Sequence, residues 1–120
     1  NEIYNSKGYR SPNEIIDELN RLVQLTLMSH RSQMNDGMDI SFCSLNKVTN
    51  ELTYAGANNP IWIVSKKSTV KVKLTKDWED LAPNIELNGL FLYEIKADKQ
   101  PIGEYHDEQQ PFSLKHVQLS

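Results

Sequence analysis

The sequence predicts an α+β chain in which one long helix packs on an antiparallel sheet. Three observations carry that expectation. Apolar residues recur at three- and four-residue spacings after Ser11, several short runs downstream alternate on a two-residue period, and polar turns separate those runs.

The helix has a clear start. In Ser11-Pro12-Asn13-Glu14, serine can cap, proline suits the first helical turn, and Glu14 sits where a capping box needs its carboxylate. Ile15, Ile16, Leu19, Leu22, Val23 and Leu27 then form one apolar stripe, with Asp17, Glu18, Arg21 and Gln24 at the remaining positions. The pattern predicts a helix from Pro12 to about His30, its stripe packed on a sheet. Residues 1–10 read as the tail of a preceding helix or as a loop.

Asp36-Gly37 marks the turn into the first strand. Along Met38 to Leu45, one face carries Met38, Ile40 and Phe42 and the other Asp39, Ser41 and Cys43, which is strand periodicity. Asn46 to Asn50 supplies turn chemistry, and Glu51 to Ala55 resumes the alternation, so the segment predicts an antiparallel hairpin. Asn58-Asn59-Pro60 breaks the chain. Ile61–Ser65 and Thr69–Leu74 read as two further strands, with Val70, Val72 and Leu74 inward and the lysines in water. Lys76 to Asn88 reads as an insertion held by Trp78, Leu81 and Ile85, with a helical turn before Pro83. Leu90 to Lys96 is another strand and Asp98 to Gln110 a loop. Phe112 to Leu119 is a last strand whose alternation slips between Leu114 and Val117, which predicts a bulge.

Composition narrows the function classes. A net charge of −3 and a pI of about 5.6 argue against electrostatically driven nucleic-acid binding. Lys66, Lys67, Lys71 and Lys73 cluster, but as the solvated rim of a hairpin. Mean hydropathy is −0.57, and no apolar run approaches the roughly 20 residues that span a membrane. The single Cys43 excludes an intramolecular disulfide and fits a reducing cytoplasm; its strand position predicts a buried, inert thiol.

Several strings, taken in order, resemble the SpoIIE/RsbU-type serine phosphatases, the bacterial branch of the metal-dependent PP2C-like phosphatases. They are SPNEIIDELNRLV (11–23), DGMDI (36–40), AGANNPIWIV (55–64), YEIKADKQPIG (93–103) and PFSLKHVQL (111–119). Each alone is weak, but together they span a hundred residues. The resemblance implies part of a four-layer α-β-β-α sandwich, and an internal piece of one phosphatase domain over residues 1–120 that lacks both ends. The family's Asp-x-x-Gly-His-Gly and downstream Asp-Gly metal motifs are not in this sequence. The parent is therefore expected to hydrolyse phosphoserine or phosphothreonine on a regulatory protein, an anti-sigma-factor antagonist in partner-switching signalling. It would use Mn²⁺ or Mg²⁺, and this segment alone would hold no cofactor and show no activity. The expected setting is cytoplasmic, with membrane tethering left to other domains and no membrane contact here. The alternative is a non-catalytic PP2C-like interaction module. Truncated sheet edges would also favour a homodimer.

Candidate chemistry concentrates at two places. Asp39 stands inside a strand, where aspartate is disfavoured, between neighbours that predict a central strand. It reads as a partly buried structural carboxylate, as a group steering water or metal ligands, or as a weak metal ligand itself. Asp36 is a second weak metal candidate whose simpler role is an Asp-Gly turn. Asn58 follows the small residues Ala55-Gly56-Ala57. It can position substrate or water, or make an Asx turn ahead of Pro60. His30, His106 and His116 lack metal-site spacing and read as surface residues. Gly103 reads as a turn glycine with positive φ.

Overall fold

Helix α1 (Pro12–Ser29) starts as its sequence predicts. The backbone N–H of Ser11 donates to Glu14 Oε1 at 3.1 Å, and the Ser11 hydroxyl lies 2.7 Å from Asn13 Oδ1 and 2.8 Å from Glu14 Oε1. Glu14 thus reaches back over the open end of the helix, while the serine hydroxyl bonds side chains of the first turn. Pro12, Ile15 and Ile16 are buried and Leu19 and Val23 half-buried, so the stripe holds along its first three turns. Leu22 departs from it and is exposed. The computed structural model describes residues 11–29, 37–103 and 110–119. His30, His106 and Asp36 fall outside those residues, as does the side chain of Leu27.

Among the described residues ten strands follow: β1 (Gly37–Met38), β2 (Ile40–Asn46), β3 (Glu51–Ala57), β4 (Ile61–Ser65), β5 (Val70–Lys73), β6 (Trp78–Leu81), β7 (Ile85–Leu87), β8 (Leu90–Ile95), β9 (Ile102–Gly103) and β10 (Lys115–Gln118). They make a five-stranded sheet in the order β2-β3-β10-β5-β6, a three-stranded sheet β4-β8-β7, and the pair β1-β9, all antiparallel. The chain is an α+β fold of a long helix and antiparallel sheets.

Two clusters place the layers. Tyr54, Val70, Val72 and Val117 of the larger sheet meet Tyr93 and Ile95 of the smaller one, with Ile61 and Ile63 packed alongside. Each aliphatic side chain fully buried there contributes about 1.5–3 kcal/mol. On the other face of the larger sheet, Ala55, Ala57, Ile40 and Phe42 receive Ile16, Leu19 and Val23 of α1, with Ile102 and Phe112 closing the cluster. Alternation along β3 therefore sends Tyr54 to one core and Ala55 and Ala57 to the other.

The β2–β3 hairpin forms as expected. Asn50 N donates to Asn46 O at 2.7 Å, Asn46 Oδ1 accepts from Val48 N at 2.9 Å and Thr49 N at 3.2 Å, and Asn50 takes a φ of 58°. Val70 and Val72 point inward and Gly103 has a φ of 95°, both as read from the sequence.

Other expectations are corrected. The strand read as running through Met38–Leu45 breaks at Asp39, which is exposed, and β2 is an edge strand rather than a central one. Being on that edge also leaves Cys43 exposed, although the chain around its sulfur still pushes its pKa up by desolvation. The insertion contains strands β6 and β7 and no helical turn. Of its apolar residues, Leu81 is half-buried while Trp78 and Ile85 are exposed. Asn88 and Gly89, with φ of 55° and 80°, make the two-residue turn that joins β7 to β8. The expected loop after Asp98 contains β9. No bulge interrupts β10, whose rungs run continuously from Lys115 to Gln118. The alternation slips because Phe112 belongs to the helix-side cluster and Lys115 takes an inward position. His116 is half-buried, its Nδ1 2.7 Å from Glu51 Oε2.

Candidate functional site at the open end of the hairpin

Hairpin register brings the two singled-out side chains together. The ladder that pairs Asn46 with Glu51 runs unbroken to Ile40 and Ala57, so the next step sets Asp39 beside Asn58. Asn58 Nδ2 donates to Asp39 Oδ1 at 3.2 Å. Both residues are exposed.

The backbone beneath this pair is tightly specified. Asn58 has a φ of 57°, a left-handed conformation that asparagine tolerates better than most residues. Its N–H donates to Asp98 O at 2.9 Å, and Asp98 N–H donates to Gly56 O at 3.1 Å. The following carbonyl, Asn59 O, accepts from Tyr54 Oη at 2.5 Å and from Ser41 Oγ at 2.7 Å. Gly56 makes that approach possible. A Cβ there would lie 2.0 Å from Tyr54 Oη and 2.8 Å from Asn59 O. Burial pushes the Tyr54 phenol up to about 12, so it remains a donor throughout the physiological range.

Asp98 ties this end of the sheet to β10. Its carboxylate accepts from Ser113 N at 2.7 Å and Ser113 Oγ at 2.6 Å, and lies 3.3 Å from Lys115 Nζ. Lys115 Nζ also donates to Lys96 O at 2.5 Å and sits 5.7 Å from the centroid of the Tyr54 ring. A buried ammonium is tolerable when charge and hydrogen bonds are supplied together, as they are here. Asp98, Ser113 and Lys115 line one end of a half-open cleft of about 510 Å³ between the two sheets, walled by Leu74, Leu81 and Ile95.

Sequence reasoning missed Asp98, Lys115 and the Tyr54 hydroxyl. The slip in alternation at Lys115 was the available signal, since it marked a lysine at an inward position. The structure does not bring His116 near Asp39 and Asn58: it lies on β10, its ring centroid 6.1 Å from that of Trp78. Asp39 and Asn58 offer three side-chain oxygens between them, two from one carboxylate and one from an amide. Among the described residues no group of three His, Cys, Asp or Glu side chains could hold a metal ion. Among them, too, no helix is long and apolar enough to cross a membrane.

Compared with models of protein families, with curated proteins and with solved structures, the chain has no match.

Proposed function

We propose that the chain is a segment of a metal-dependent protein serine/threonine phosphatase of the SpoIIE/RsbU type, with a PP2C-like sandwich. Its substrate would be a regulatory phosphoprotein of the anti-sigma-factor antagonist kind, in the cytoplasm. The supporting observation is that residues 37–40 and 55–60, at the open ends of the two arms of one hairpin, meet at one end of the sheet and join through Asn58 and Asp39. The resemblance sets that end of the strands close to the catalytic centre. The layering of α1, the larger sheet and the smaller sheet supports the same reading. In it, the segment's part is positional. Tyr54, Ser41 and Asp98 fix the backbone at residues 58 and 59, and Asn58 then orients the Asp39 carboxylate toward solvent-borne groups. The Mn²⁺ or Mg²⁺ of such an enzyme would be bound by aspartates of motifs that this sequence does not contain.

The test is a polypeptide that extends the chain through both metal motifs, assayed on a phosphoserine peptide with Mn²⁺. Phosphate release that Asp39→Ala or Asn58→Ala lowers by about 10- to 100-fold is expected, the usual cost of losing a group behind a metal ligand. Release from the extended chain that neither substitution changes would overturn the positional role. No release at all would favour the non-catalytic interaction module.

A further inference from the structure

The outer face of the three-stranded sheet is apolar, and its register shows that the apolar residues are neighbours. Val64 pairs with Leu92 and Leu92 with Ile85, Leu87 pairs with Leu90, and Trp62 pairs with Glu94. Directly opposed residues of an antiparallel pair share a face. Trp62, Val64, Leu92, Ile85, Leu87 and Leu90 therefore form one surface, opposite the side of β8 that buries Tyr93 and Ile95 in the core. Exposure is 68% for Trp62, 63% for Val64, 58% for Ile85, 68% for Leu87 and 45% for Leu90. Scattered single hydrophobics are ordinary on a surface, but a contiguous set of this kind marks a contact site.

We propose that this face pairs with the same face of a second copy of the chain, forming a two-fold dimer in which two sheets pack face to face. Three properties favour a second copy over another occupant. The exposed side chains amount to on the order of 500 Å² of surface per copy, so pairing removes on the order of 1,000 Å², the threshold for a specific interface. Glu94 is the one charged residue in these strand pairs on this face, and its Oε2 accepts from Trp62 Nε1 at 3.2 Å, so a two-fold pairing brings together a single carboxylate from each copy, each already hydrogen-bonded. The surface is also the side of a sheet, and two such sides interdigitate at about 10 Å separation with strands roughly 30° apart.

Sedimentation equilibrium on the 120-residue chain, from nanomolar to high-micromolar concentration, tests the proposal. A reversible monomer–dimer equilibrium is expected. In a Trp78→Phe background the emission of Trp62 should shift to the blue as dimer forms, which locates the contact. Trp62→Glu and Leu87→Lys should each weaken association by about thirtyfold or more, as loss of a central contact does. Both side chains are exposed in the monomer, so circular dichroism and the urea midpoint should stay near those of the parent chain. Val48→Lys, at the tip of the β2–β3 turn, should leave association unchanged. A chain that stays monomeric at every concentration, or a dimer that survives both charge substitutions, overturns the proposal. So does a monomer from the chain extended through both metal motifs, which would give this face to the second helical layer of a four-layer sandwich.

Discussion

Asn58 Nδ2 donates to Asp39 Oδ1 across 3.2 Å, linking the break between β1 and β2 to the residue that follows β3. The pair is exposed, and an exposed contact of this type is worth at most about 1 kcal/mol. A double-mutant cycle of Asp39→Ala and Asn58→Ala should therefore give a small coupling in urea denaturation. Coupling well above that figure would make the contact structural and remove the reason to assign it a positional role.

Asn58 carries a second, separable load in its positive φ. Asn58→Gly should keep stability within about 0.5 kcal/mol, while Asn58→Val should cost about 1–3 kcal/mol, since a β-branched residue resists that backbone region. Thermal melts of the two variants distinguish backbone conformation from side-chain chemistry. Equal losses would show that the side chain matters more than the φ value.

Gly56 stands where strand, phenol and loop carbonyl converge. Gly56→Ala places a methyl 2.0 Å from Tyr54 Oη and 2.8 Å from Asn59 O, one of which is backbone. Overpacking of this sort costs about 1–3 kcal/mol or more. Tyr54→Phe removes the hydrogen bond to Asn59 O, for about 0.5–1.5 kcal/mol, and leaves the ring in place. The double variant should recover only part of the alanine loss, because the ring carbon and the carbonyl remain in the way. Full recovery would put the whole clash on the hydroxyl.

The fold was legible where a single residue type settles the local geometry. Ser11, Pro12 and Glu14 announce the helix start, and Asn46 to Asn50 announces the hairpin. Strands β6 and β7 were hidden because Lys76 to Asn88 is short, polar and interrupted by Pro83. Their existence depends on pairing with β5 and β8, which are already formed from stronger patterns. Even so, Asn88-Gly89 is the sequence signature of a two-residue hairpin turn, and it was there to be read. At the candidate site, Asp39 and Asn58 were each noticed for local reasons, and their meeting follows from hairpin register. Alternation overstates the burial of Asp39, because it reports the face of a strand and not whether that strand lies at an edge. Asp98 and Lys115, 17 residues apart in sequence, meet only through tertiary packing.

Asp17 gives the chain a pH dependence of defined sign. Burial raises its carboxyl above the ordinary value, with the charges of Asp98 and Glu14 adding to the effect, although its Oδ1 accepts from Phe112 N at 2.9 Å. The folded chain thus holds this proton more tightly than the unfolded one. The stability it contributes is fully present below the unfolded pKa of about 4 and is lost as pH rises through the folded value. Asn at this position keeps an oxygen to accept from Phe112 N and has no charge to bury. Urea denaturation from mildly acidic to neutral pH should show Asp17→Asn gaining on the parent chain as pH rises. A difference that is flat with pH, or that runs the other way, would show that the hydrogen bond outweighs desolvation.

The last expectation concerns an asymmetry within one ion pair. Lys115→Met removes an ammonium but leaves Asp98 with two donors from Ser113, and the methionine can lie in the same inward slot beside Tyr54. Replacing a buried charge by an apolar side chain of similar length is often close to neutral when its partner stays satisfied. Asp98→Ala does the opposite. It strips Ser113 N and Oγ of their acceptor, and it leaves the Lys115 ammonium with Lys96 O where both charge and hydrogen bond had been supplied. Losing hydrogen bonds of that charged kind costs about 2–3 kcal/mol. Asp98→Ala should therefore lower the urea midpoint well below that of Lys115→Met, and adding Lys115→Met to Asp98→Ala should restore part of the loss. A Lys115→Met chain as unstable as Asp98→Ala would mean that the ammonium, and not the carboxylate, holds β10 to the end of β3.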